Sequence, residues 1–455
     1  AAMLPHTLSL REGVRIDSGE VQFHAQAAKG EKNLEWIAEA SITDLAGEER
    51  GRAIRWDQPV RANARWVATA DGPRLDQFSL QAPFAQADFT TSANRIAGDI
   101  ECDLGLLTQE VGQFVDLHDF ALQGTASGKL EINNQSAGEF TAVADLALSA
   151  LLLSQREQPL WEENQLTIKL QADGTAEHKV PRTLANGSLH LQGSRDTLHV
   201  ELVEPAPLNG TGPWKFSAQS TGSLDAWAGR LRPWLGEGKL DISGDAALAA
   251  RCAVNPGGIE VGELSGKIKQ LHLWTESLAI DEPQVEFSGD LSYNGPSRSI
   301  SSSNLETRGS ILAFKSRDLR FEMPEGQMPV VTGQVAFQTD LKRLVSSTRF
   351  VQSSTTLTPQ GVAQGRLRFA TNAQQLLAEI SLDAEQLQLI DSPRVGGTSR
   401  VEPKTLWTEP RLHAEGKAVY TNASDKLVLE NLRIDGQTLQ LSGQADWDHP
   451  RSGGP

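Results

Sequence analysis

The sequence predicts a mainly β protein: a long antiparallel sheet of repeated blocks, with short helices between the repeats. Three observations carry this. Segments such as Leu166-Thr167-Ile168-Lys169-Leu170 alternate apolar and polar residues, which gives a strand one dry face and one wet face. Forty glycines stand against two tyrosines and three methionines, a balance that suits many short strands and turns. Two sequence markers also recur along the chain, and self-similarity at a fixed period outranks any local signal.

The first marker is a short helix led by an aspartate and followed by glycine-punctuated strands. In Asp225 to Leu248, Leu224, Trp227, Leu231 and Trp234 fall three or four apart, the spacing of one helix face. Asp225 suits the positive end of the helix dipole. Gly236 and Gly238 stop the helix, and Leu240 and Ile242 begin a strand. The unit recurs from Asp103, leading to Gly124 and Gly128, and from Asp340, leading to Gly361 and Gly365. The leading aspartates lie 122 and 115 residues apart (103 to 225, 225 to 340). The second marker is a Trp or acidic step before an alternating strand: Trp56-Asp57, Trp161-Glu162-Glu163, Asp281-Glu282-Pro283 and Trp407-Thr408-Glu409-Pro410.

In chain order, strands fill residues 1 to 100, a helix spans 103 to 117, and strands return from 122 to 202. A second repeat runs from 224 to about 335 and a third from 340 onward. The expected blocks are therefore 1–100, 101–222, 223–337 and 338–455. Ser297 to Ser303 and Gly396 to Ser399 read as surface turns.

The chain has 455 residues with 39% hydrophobic content and a mean hydropathy of −0.34, too apolar for disorder. Its net charge of −16 and the lack of a basic stripe weigh against nucleic acid and anionic membrane surfaces as partners. Cys102 and Cys252 read as idle or buried thiols, since neither has a Cys or His at ligand spacing. No apolar run approaches the ~20 residues needed to span a bilayer, and both ends read as cut from something longer.

Signals for chemistry are weak. Gly124-Thr125-Ala126-Ser127-Gly128-Lys129 is one residue short of a phosphate loop, and Leu130 stands where Ser or Thr is needed. His190 and His199 fall on successive strands without a third metal ligand. Glu162-Glu163 and Asp281-Glu282 read as solvated turn acids rather than a glycosidase pair. No Gly-x-Ser-x-Gly elbow is present.

The residues Asp225 to Gly244, Asp340 to Leu344 and Leu427 to Gly443 together resemble the AsmA-like superfamily, which includes the TamB-type envelope proteins. The resemblance implies a long sheet curled into an open groove, anchored in the inner membrane by a segment absent from this chain. It also implies a periplasmic location, phospholipid acyl chains as partners, both membranes met through missing terminal regions, and an outer-membrane assembly partner. By its own pattern, a sheet with one apolar face either packs against a second sheet or curls so that the face becomes a trough.

The expectation is thus a non-enzymatic protein with no cofactor and no metal, serving phospholipid transport or outer-membrane integrity. The groove-lining candidates are Leu166, Ile168, Leu170, Leu427, Leu429, Leu432, Ile434, Leu439 and Leu441. The alternatives are a structural or adhesive all-β surface protein and a carbohydrate-binding β protein.

Overall fold

The structure is a computed structural model describing residues 11–29, 34–56, 58–69, 72–92, 94–117, 120–134, 138–155, 158–177, 180–210, 212–228, 241–275, 279–322, 330–347, 357–371, 375–391, 404–421 and 426–448. It is mainly β and antiparallel, with short helices. Its contacts divide it into two compact units, residues 1–212 with 229–236, and residues 213–228 with 237–455.

The first unit holds β1 (Val14–Lys29), β2 (Leu34–Glu49), β3 (Arg52–Arg55), β4 (Val60–Thr69), β5 (Gly72–Ala82), β6 (Ala85–Thr91) and β7 (Arg95–Asp103), then a helix, Leu104–Gly112. It continues through β8 (Phe120–Asn134), β9 (Glu139–Gln155), β10 (Gln158–Glu177), β11 (Val180–Gln192), β12 (Asp196–Leu202) and β13 (Ala206–Pro207). Successive strands pair antiparallel, except that β2 pairs with both β3 and β4 and that β13 pairs with β11.

The second unit holds β14 (Trp214–Ser223), a helical turn at 224–228, β15 (Asp241–Asn255), β16 (Gly258–Trp274), β17 (Ala279–Asn294), β18 (Ser299–Arg308), β19 (Leu312–Glu322) and β20 (Val330–Asp340). After the helix Leu341–Ser347 come β21 (Leu357–Thr371), β22 (Gln375–Asp391), β23 (Lys404–Thr421), β24 (Lys426–Gly436) and β25 (Gln440–Asp448). Among the described residues β25 pairs only with β24, and in the first unit β1 pairs only with β2. The sheet is not closed.

The helices begin where the sequence places them. Asp103 Oδ1 accepts from the Leu106 N–H at 2.9 Å, and Asp340 Oδ1 from the Arg343 N–H at 3.0 Å. Each aspartate satisfies one of the donors left free at a helix start. Their own N–H groups reach back to the turn two strands earlier, Asp103 to Phe84 O and Asp340 to Ile311 O. The first helix is shorter than 103–117, ending at Gly112. Asp225 lies within the helical turn, whereas Leu231 and Trp234 lie outside the described residues.

The repeat appears as one local device. Gly124, Gly244 and Gly361 have φ of 108°, 137° and 129°, a left-handed conformation that glycine adopts without a Cβ penalty. Backbone carbonyls lie 2.6 to 2.8 Å from where a Cβ would sit. On the next strand Ala150, Gln270 and Gln386 also have positive φ, 50°, 51° and 54°. After each comes a leucine, Leu151, Leu271 or Leu387, whose partner one strand on is Glu163, Glu282 or Glu409. The first block carries a related kink, in which Leu45 follows Asp44 (φ 51°) and packs near Gly19. Its acid, Asp57, lies outside the described residues.

These glutamates correct the expectation of solvated turn acids. Glu163, Glu282 and Glu409 lie in strands and are 6%, 5% and 0% exposed. Each reaches the turn that closes the next hairpin, about thirty residues on. Glu163 accepts from the Ser194 N–H and hydroxyl, and Glu282 from the Ser310 and Ile311 N–H groups. Glu409 accepts from the Gln437 and Thr438 N–H groups and the Thr438 hydroxyl. All three turns close alike, with Gly193, Gly309 and Gly436 donating N–H to the carbonyl three residues on. The Thr438 hydroxyl, then the turn N–H groups, hold the Glu409 carboxyl below its ordinary range against an opposing desolvation.

A second correction concerns Ser297 to Ser303. Its second half is strand, with Ser299 and Ser302 buried in β18 and Ser303 bound through its N–H and hydroxyl to Asp290. The Ser303 hydroxyl meets the Asp290 carboxylate across the strands, which ties this half of the segment into the sheet.

Candidate functional site: an apolar sheet face with a covered margin

Cross-strand register decides which side chains share a face, because successive residues of a strand point to opposite sides. In the first unit one row crosses eleven paired strands as Ala25, Ala38, Ala64, Phe78, Phe89, Gly98, Leu130, Ala144, Leu170, Leu189 and Val200. The row two residues away runs from Phe23 through Leu80, Ile100, Leu146 and Ile168 to Leu198, and it is apolar at every position. The intervening row, on the opposite face, reads His24, Glu39, Asn63, Ser79, Asp88, Asp99, Lys129, Asp145, Lys169, His190 and His199. The two faces are chemically sorted without exception along these rows.

A third apolar row, Ala82, Ala85, Cys102, Ala126, Leu148 and Leu166, runs beside these. Here the first helix lies on the sheet: Leu104, Leu151 and Leu166 form a buried cluster, with Leu107, Leu122 and Trp161 packed against it. The Trp56 indole N–H donates to Glu110 O at 2.8 Å and its ring meets Phe84 and Phe114 edge-on, seating the helix end. The helix thus covers one margin of the apolar face. Across the three rows exposure rises from 2% at Leu166 to 42% at Leu170, with Ile168 half-buried between them.

The second unit repeats the arrangement. One row crosses all twelve strands as Ser220, Leu248, Gly266, Phe287, Thr307, Phe314, Phe337, Gly365, Leu382, Ala414, Ile434 and Leu441. At about 4.8 Å per strand step it extends roughly 50 Å. Its covered margin holds Thr339, Ala363 and Ala384, 4%, 1% and 3% exposed, where the helix Leu341–Ser347 packs against β21. Toward the other side Ile380 and Leu376 are 43% and 38% exposed.

Glycines facing phenylalanines keep this face low. Phe89 is paired with Gly98, Phe287 with Gly266 and Phe337 with Gly365. A Cβ on Gly266 would fall 2.2 Å from Phe287 Cζ, so the ring occupies the space its partner leaves empty. Rings laid over glycines add apolar area without standing up from the sheet.

Eight of the nine sequence-predicted residues fall on this face, in unlike settings. Leu166 is core beneath the helix, Ile168 is intermediate and Leu170 is open. Leu427 and Leu429 lie opposite Trp447 and Ala445, Leu432 opposite Gly443 and Ile434 opposite Leu441, all on the apolar side. Leu441, 50% exposed, stands at the start of β25, whereas Leu439, 40% exposed, belongs to the turn held by Glu409, its carbonyl accepting from the Gly436 N–H. Sequence reading missed Leu151, Leu271 and Leu387, because no residue type marks the kinks that they follow.

No family model matches this chain, and no curated protein matches it.

On the polar face, charged groups pair across strands, as in Lys417–Glu430 and Lys267–Glu286. His190 and His199 are cross-strand partners with ring centroids 6.0 Å apart. Among the described residues no group of three His, Cys, Asp or Glu has metal-ligand geometry. Gly124 to Lys129 forms part of β8, with the bulge at Gly124 in place of a phosphate-binding turn.

Proposed function

We propose that this chain is a non-enzymatic lipid-handling protein whose apolar sheet face holds phospholipid acyl chains as a trough. The observation that carries the reading is the pair of adjacent rows, apolar at every one of eleven strands, that the helix leaves uncovered beyond its margin. Each methylene removed from water contributes about 0.8 kcal/mol, so an acyl chain lying along the rows is held firmly. Equivalent positions repeat at every strand step, so a bound chain meets no preferred stopping place and slides. The function calls for no catalytic residue. A periplasmic location and transport between inner and outer membranes rest on the resemblance to the AsmA-like superfamily, and belong to this reading.

The test is native mass spectrometry of the purified chain followed by lipid extraction. Co-purifying phospholipid that gentle delipidation removes without unfolding supports the trough. A well-folded chain free of lipid even after incubation with phospholipid vesicles contradicts it and turns attention to protein partners of the apolar face.

A further inference from the structure

The chain carries an excess of 16 acidic over basic charges, yet one depression on the polar face of the second unit is basic. Its cavity, of about 770 Å³, draws Lys315 and Arg317 from β19, Arg366 and Arg368 from β21 and Lys417 from β23, against Glu379 and Glu415. That volume falls within the usual range of small-molecule pockets, roughly 300–1,000 Å³.

Register gives the cluster its shape. Lys315 and Arg366 flank Ala336 on either side, and Arg317 and Arg368 flank Gln334. Four cations therefore stand at the corners of a rectangle about 7 Å along the strands and about 10 Å across them. Its centre is a methyl and a carboxamide, too short to fill the space between four long side chains. Among the described residues, Lys315 and Arg368 have only long ion pairs, 3.7 Å to Glu306 and 4.0 Å to Glu379. Arg317 and Arg366 have no carboxylate partner among the described residues, although acids are in the majority. Like charges held this close without partners repel, the more so at low salt.

We propose that this rectangle is a binding site for a small soluble anion carrying two or more phosphate groups. Guanidinium forks match phosphate oxygens two at a time, and charge-assisted bonds of this kind are about twice as strong as neutral ones. The Gln334 amide offers a further donor from the floor. The site lies on the face opposite the apolar rows, so it stands whether or not those rows hold lipid.

The test is calorimetric titration of the whole chain with sodium tripolyphosphate in about 0.15 M salt, a strength that screens exposed charges beyond about 8 Å. Saturable binding at one site is expected, falling about tenfold or more for each of Arg317→Gln and Arg366→Gln. Each of Lys169→Gln and Lys269→Gln, which makes the same charge change elsewhere on the polar faces, is expected to leave binding within twofold. Thermal melts of all variants confirm that the fold persists. The proposal is overturned if the wild type takes up no tripolyphosphate, or if the control variants weaken binding as much as the arginine variants. Binding to phosphatidylglycerol vesicles without binding to tripolyphosphate overturns it equally, by making the patch a membrane contact.

Discussion

Glu409 and Thr438 are joined through one carboxylate oxygen, which accepts from the Thr438 N–H at 2.9 Å and from its hydroxyl at 2.6 Å. These bonds, with those from Gln437 and Leu439, hold the Glu409 carboxyl below its ordinary value. A depressed carboxyl adds stability above its unfolded pKa, about 4.3, and that stability is lost as pH falls through the lower folded value. Denaturant unfolding at pH 7 and at steps below pH 4 is expected to show an acid-dependent loss in the wild type. Glu409→Gln should be less stable at neutral pH and show a flatter acid slope. Equal slopes would remove the clamp from the account.

Glu282 tests the same device without titration. Replacing it by Ala leaves the Ser310 and Ile311 N–H groups without their acceptor, the second of them on a buried residue. A loss of about 1–3 kcal/mol is expected, the cost of stranding buried donors. A change below about 0.5 kcal/mol, the range of ordinary surface substitutions, would mean that water replaces the carboxylate.

Leu166 and Leu170 separate the buried core from the open face. Leu166→Ala, under the helix, is expected to cost about 2–5 kcal/mol. Leu170→Asp lies on the open part of the face and should leave the melting transition nearly unchanged while reducing bound phospholipid. The reverse pattern would make Leu170 part of a closed core.

Gly266 tests the low floor. No backbone atom is among the close neighbours of an added Cβ there, so Gly266→Ala acts mainly on the Phe287 and Leu248 side chains. Lifting the ring should reduce lipid loading at a stability cost of about 1–3 kcal/mol. Unchanged loading would show that the ring's position does not matter to the trough.

His413 carries a raised pKa, chiefly through its hydrogen bond to Asp383, with the charges of Asp383, Glu415 and Asp435 adding to it against a modest desolvation. Its stabilising effect is complete below the unfolded value, about 6.5, and is lost as pH rises through the higher folded one. The pair is exposed, so the effect on stability is small. An NMR titration should place His413 above its value in Asp383→Asn; coincident titrations would contradict the pairing.

Much of this fold was legible because alternation and register are local rules. Leu166, Ile168 and Leu170 announce a dry face, and Asp103 and Asp340 announce helix starts, which their carboxylates cap from just outside the helix. The recurring acids also marked the repeat. Their burial was not legible, because the groups that satisfy Glu163 and Glu409 lie on turns about thirty residues away. Nor do Ala150, Gln270 and Gln386 share any residue type that signals left-handed backbone. The basic rectangle was equally hidden, since Lys315 and Arg366 come together only across β20.

If the apolar face holds lipid as proposed, its side chains lie within reach of bound phospholipid. Photo-crosslinking residues placed at Leu170 and Ile434, and on the opposite face at Lys169 and Arg433, test this most directly in cells. Phospholipid adducts at Leu170 and Ile434, with none at Lys169 and Arg433, are the predicted result. Adducts on both faces alike, or protein adducts alone at Leu170 and Ile434, would contradict the trough.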